Sequence, residues 1–182
     1  MATHTGAHLL PGMVRFALRR PANPAHRTRP PLLRGERVLI EERAEGSTPV
    51  VATNRALHHR GAAGWRRLPW EETGRIRWDA ERRTLELSTF GGDPLVLRLA
   101  VPTKLPAMVR ERVAATVLVS SRVELNGTGC AVVTARNRPG TSQVVWIVKL
   151  DDGVDHSDPS VQAEVDAAVH SLRRHLGFTI VH

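Results

Sequence analysis

Histidines, aspartates, paired serines and paired glutamates are the residues of this 182-residue chain that could do chemistry, and their spacing decides whether they do. His58 and His59 are adjacent, so in a strand they point to opposite faces. His170 and His175 sit five apart on a helix, about 140° around its axis, so they share no face. The others among the nine histidines include His4, His8, His26 and His182, near the ends of the chain. No pair has ligand spacing, and all read as surface residues. The loop carrying Asp151, Asp152, Asp155 and Asp158 fails the calcium-loop pattern, because Gly153 comes too early and no bidentate glutamate follows. It reads as a solvated turn and a helix cap. Ser120-Ser121 lie in a strand without a Gly-x-Ser-x-Gly elbow. Glu71-Glu72 read as an exposed turn, and Gly91-Gly92-Asp93-Pro94 as turn chemistry rather than a phosphate cradle. Cys130 is the one cysteine, which excludes an intramolecular disulfide and a Cys-rich metal site. The expectation is a protein that is not an enzyme and uses no metal and no cofactor.

The arginines carry more weight. All but two of the 26 basic residues are arginine, and the formal net charge is +8. Arg15, Arg19, Arg20, Arg27, Arg29 and Arg34 fall in the first 35 residues without a single acid. With Arg60, Arg66, Arg67, Arg75 and Arg77 they make a candidate electropositive surface for nucleic acid or anionic lipid. Trp65, beside a glycine loop, is the tryptophan most open to a partner. Glu71, Glu72, Asp79, Glu81 and Glu86 interleave with the strand arginines, which favours a mixed, solvated sheet face.

These side chains need elements to position them. Residues 1–34 read as a basic, flexible arm, because prolines at 11, 21, 24, 30 and 31 forbid a long helix. Apolar residues make up 41% of the chain, enough for a core in the remainder. From Arg37 the alternation predicts seven short strands: 37–42, 49–53, 56–60, 65–70, 74–78, 84–89 and 95–101. The period then changes. Thr103 caps a helix running to about Ala115, with Leu105, Met108, Val109 and Val113 on one stripe. Strands over 116–125, 130–136 and 144–150 follow, joined by an Asn126-Gly127 turn and an Arg138-Pro139-Gly140-Thr141 turn. The last helix starts at Asp158-Pro159 and stops at Gly177, with Val161, Val165, Ala168, Val169, Leu172 and Leu176 as its buried stripe. Trp70, Trp78 and Trp146 occupy alternating apolar positions and read as core.

The turn Thr53 to Leu57, then Leu68-Pro69-Trp70, Ile76-Arg77-Trp78-Asp79 and Leu85-Glu86-Leu87, resembles the bacterial PH-like (pleckstrin-homology, GRAM-like) domains. The whole chain, with its Val109 to Val113 helix, also resembles a small family from high-GC bacteria. The resemblance implies a seven-strand bent β-sheet or barrel capped by a helix over residues 35–115. Followed by the three strands and helix read over 116–182 as a βββα unit, it makes the expected fold α+β. The resemblance brings no reaction and no functional residue with it.

The functional expectation is a non-catalytic binding or scaffolding module. Its partner is a protein or a second copy, and no small-molecule substrate is evident. The alternative is an accessory binder of nucleic acid or anionic membrane acting through the arm. No window reaches the 18 or so apolar residues of a membrane helix. The stretch HLLPGMVRFALRRP, broken by Pro11 and Arg15, does not read as a signal peptide. The expected location is cytoplasmic.

Overall fold

A computed structural model describes residues 29–90, 92–100, 102–125, 127 and 129–177. Its first sheet contains β1 (Val38–Ala44), β2 (Thr48–Thr53), β3 (Ala56–Gly61) and β4 (Gly64–Pro69), antiparallel and in that order. A 3₁₀ turn over Trp70–Glu72 leads into the second sheet, made of β5 (Thr73–Asp79), β6 (Thr84–Thr89) and β7 (Leu95–Arg98). Helix α1 (Leu105–Ala114) follows, with Pro106 in its first turn and the Thr103 hydroxyl accepting the Leu105 N–H at 3.1 Å.

The predicted bent sheet or barrel is corrected: among the described residues the seven strands form two separate sheets and no closed barrel. Pro69 has no N–H to donate, and the chain turns at Trp70, so β4 hands nothing on to β5. On the other side, among the described residues, β1 meets the β7 end through an Ala44–Leu99 bridge and the Ala100 N–H to Arg43 carbonyl bond. The inward faces of both sheets share one core. Val50, Ala52 and Leu57 meet Leu85, Leu87, Leu97 and Leu99, with Trp70 at the corner and Leu105, Val109 and Val113 of α1 closing one side. Each such leucine, fully buried, contributes about 1.5–3 kcal/mol.

The third sheet pairs β8 (Val117–Leu125) and β10 (Val144–Leu150) on either side of β9 (Gly129–Asn137). Helix α2 (Pro159–His175) packs on β8 and β9. The Asp158 carboxylate accepts the Ser160 N–H at 2.8 Å, and Gly177 ends the helix with φ at +72°. This unit has its own small core of Leu125, Ala131 and Val161, ringed by Val123, Leu150, Val154 and Val165. The coarse α+β plan, with a βββα unit after the first helix, is therefore present.

The predicted stripe of α2 is only partly buried. Val161 is shut off, whereas Val165, Ala168, Val169 and Leu172 are half-buried and Leu176 is exposed. Three strands are too narrow to cover a helix of 17 residues. Trp70 and Trp78 join the main core as expected. Trp146 does not: it is half-buried on β10, with the Arg173 guanidinium 5.3 Å above its ring.

Candidate functional site

Arg15, Arg19, Arg20 and Arg27 lie outside the described residues. Arg29 opens the described chain beside a groove of about 530 Å³ whose lining includes Glu41, Glu42 and Arg43. Residues 29–36, of which 29–34 count with the arm by sequence, pass over the outer face of the first sheet and bury Pro30. Cross-strand pairs divide the remaining predicted residues between two faces. Arg60 opposes Trp65 and His58 opposes Arg67 on the outer face, while His59 opposes Arg66 on the inner one. Trp65 is half-buried. The structure thus brings Arg60, Trp65 and Arg67 together and turns Arg66 away.

Beneath that outer face lies a polar cluster centred on Glu36. Its Oε1 meets His58 Nε2 at 2.9 Å and accepts the Thr53 hydroxyl at 2.6 Å. Its Oε2 accepts the Leu33 N–H at 3.0 Å and lies 3.9 Å from Arg67 Nε. The Trp70 indole N–H, from the core side, donates to the Thr53 carbonyl at 3.0 Å. Burial pushes the Glu36 carboxyl up. The hydrogen bonds from His58, Thr53 and Leu33 and the His58 charge outweigh burial and hold it below its ordinary value. The two histidines therefore do point to opposite faces, but His58 is 1% exposed and is no surface residue. Segment 29–36 covers it, and nothing near His58 in sequence signals that cover.

The cluster has the residue types of a nucleophile, a base and an orienting acid, without their geometry. Thr53 and His58 both address the same carboxylate oxygen rather than each other, so the imidazole is not placed to take the hydroxyl proton. The cluster fastens the entering chain to the sheet. Among the described residues no three His, Cys, Asp or Glu side chains gather to hold a metal ion. Among them, too, no helix is long and apolar enough to cross a membrane.

A second set of charges joins the first two sheets to the third. Glu71, expected on an exposed turn, is 2% exposed. The 3₁₀ turn after Pro69 folds it toward the β9–β10 turn, where Arg138 Nε donates to its Oε1 at 2.9 Å. Arg138 also donates to Gln143 Oε1 at 2.7 Å. Two residues earlier, Arg136 sends its guanidinium to the Thr73 carbonyl at 2.7 Å and lies 5.3 Å from the Phe90 ring centre. Burial lowers the pKa of Arg136 below its ordinary value. A cleft of about 310 Å³ opens at this junction, with Arg55, Arg67, Glu71 and Arg138 in its wall. Sequence reading missed Arg55, Arg138 and Glu71. The ion pair spans 67 positions, and no periodicity connects its ends.

The third feature is the outer edge of β10. Among the described residues this strand pairs with β9 alone. Its residues, VVWIVKL, include one charge, Lys149. Because α2 lies over β8 and β9, a groove of about 430 Å³ remains between α2 and β10, lined by Val148, Leu150, Val161 and Val165, with His156 and Asp166 at its rim. Val148 is 39% exposed there. No family model, curated protein or solved structure matches the chain.

Proposed function

We propose that this chain is a non-catalytic binding module for a protein partner, which it receives as an extended segment along β10. The observation that carries this reading is the β10 edge, unpaired among the described residues: seven residues, mostly apolar, beside the groove between this strand and α2. Folded proteins ordinarily blunt such edges with charges, prolines, bulges or a covering element. An edge left open beside an apolar groove has the build of a β-augmentation site: main-chain bonds supply affinity, and side-chain pockets supply selectivity. Residues 35–115 we read as a PH-like scaffold that holds the unit in place. Four strands, then three strands, then a helix over their shared core support that assignment. Cytoplasmic residence belongs to the same proposal.

The test compares capture by the intact protein with capture by Val148→Lys, using Arg66→Gln as a charge control on a distant face. Bound proteins are identified by mass spectrometry, and β10 amides are followed by hydrogen exchange. The expected result is a partner lost in Val148→Lys, retained in Arg66→Gln, and protecting β10 amides when bound. An identical set of bound proteins in all three, or retention only of nucleic acid or anionic vesicles in a salt-sensitive way, overturns the reading.

A further inference from the structure

We propose that the junction cleft is a receptor for a small monocarboxylate with a hydrogen-bond donor beside the carboxylate, and that Arg55 holds the carboxylate. The ligand class is that of short α-hydroxy or α-amino acids. The site stands apart from the β10 edge.

Arg55 follows Asn54 in the turn from β2 to β3. Its guanidinium lies against two glycines from different parts of the chain, Gly35 and Gly140, which have φ of +75° and +81°. A Cβ on Gly140 would come 2.2 Å from Arg55 Nη2, and one on Gly35 would come 3.2 Å from the same atom. Both positions thus have a left-handed backbone that favours glycine, and both give the guanidinium bare backbone to lie on. A side chain at either position would push the guanidinium away.

It is also unpaired. Arg55 Nε is buried without an acceptor, and among the described residues no carboxylate forms an ion pair with the side chain. The other cations of the cleft have partners: Arg67 lies near Glu36, and Arg138 is bonded to Glu71. A buried polar group without a partner costs about 1–3 kcal/mol, and a charged one more. Glu71 supplies the complement, because its Oε2 is buried and has no donor. One wall therefore offers an unused cation and an unused acceptor.

Charge sets the ligand's valence. One unpaired guanidinium matches a single negative charge. Glu71 is balanced by Arg138, and the exposed Glu72, also in the wall, repels a dianion such as phosphate more than a monoanion. The planar fork of arginine suits a carboxylate held through two bonds. Leu33, Pro69 and Pro139 add apolar wall, and a volume of about 310 Å³ admits a body of a few carbons.

The test titrates the full chain, followed by amide NMR, with 2-hydroxybutyrate, butyrate and inorganic phosphate. Saturable shifts at the Arg55 and Gly140 amides are expected with 2-hydroxybutyrate, with butyrate at least fivefold weaker and phosphate weaker still. Arg55→Gln, checked for folding by circular dichroism, loses at least tenfold. Arg66→Gln binds as the wild type does. Glu72→Gln, on the exposed rim, binds severalfold tighter. The proposal is overturned by an absence of saturable shifts, by phosphate or butyrate binding as well as the hydroxy acid, or by Glu72→Gln binding no tighter. Undiminished affinity in a folded Arg55→Gln overturns it as well.

Discussion

Glu36 and His58 meet at 2.9 Å with both side chains almost fully shut off from water, and this contact ties the entering chain to the middle of the first sheet. Removing one partner of such a pair leaves the other buried and uncompensated, which typically costs about 3–5 kcal/mol. His58→Ala is therefore expected to lower unfolding free energy by about that much, measured by urea denaturation. A loss below about 1 kcal/mol would mean that water reaches Glu36 and that segment 29–36 does not seal the cluster.

The same carboxyl gives the fold an acid limb. Burial alone would raise its pKa, but the bonds from His58, Thr53 and Leu33 hold it below the ordinary 4.5. A group whose folded value is depressed contributes stability that is complete above the unfolded value and is lost as pH falls through the folded one. The urea midpoint of the wild type should therefore hold above pH 4.5, as far as this group is concerned, and decline below it. Glu36→Gln should flatten that decline. Parallel acid limbs in the two proteins would remove Glu36 from the account.

His59, one residue along on the opposite face, behaves in the reverse sense from a paired histidine. Burial and then the nearby Arg66 charge lower its pKa below the ordinary 6.5. The unfolded chain takes up the proton first, so this group costs stability as pH falls below 6.5. Proton NMR should show His59 titrating below its ordinary value. Arg66→Gln should move it upward, and Arg67→Gln, on the other face, should leave it in place. An upward move in Arg67→Gln alone would reverse the face assignment.

Much of this fold is legible in the sequence, for reasons that particular residues show. Leu85 and Leu87 alternate with Glu86 and Ser88, so β6 and its inward face follow from period alone. Asp158-Pro159 and Gly177 mark the two ends of α2, because caps act within a turn of the helix. What alternation does not carry is contact between distant segments. His58 is buried with Glu36 bonded against it, and Glu71 is buried with Arg138 reaching it from the third sheet. The same gap hides the division into two sheets, which depends on how Pro69 and Trp70 turn the chain at the corner. The candidate sites fall in this blind region. Arg55 looks like an ordinary turn residue until Gly35 and Gly140 are placed on either side of it.

Trp70 turns that corner. It is fully buried in the main core, and its indole N–H donates to the Thr53 carbonyl at 3.0 Å. Trp70→Phe removes the donor and part of the ring while keeping an aromatic group. The lost bond costs about 0.5–1.5 kcal/mol, and the smaller ring leaves a cavity that adds to it. A midpoint shift equivalent to about 2 kcal/mol in urea is expected from the two terms together. A neutral outcome would mean that the corner repacks and that Trp70 fills space without orienting the turn.

Arg136 should decide whether the two halves of the molecule unfold together. It starts on β9, in the third sheet, and ends on the Thr73 carbonyl and the Phe90 ring of the second. Each half has its own hydrophobic cluster, so cooperation between them depends on bonds across the junction. Arg136→Met keeps a long side chain against Phe90 but leaves the Thr73 carbonyl without its charged donor, a loss of about 1.5–3 kcal/mol. The wild type is expected to unfold in one transition, seen alike by circular dichroism and by hydrogen exchange in β3 and β9. In Arg136→Met the β9 amides should exchange at lower denaturant than those of β3. Coincident transitions in the variant would assign the coupling to the Arg138–Glu71 pair instead, and Arg138→Met would then have to separate the halves.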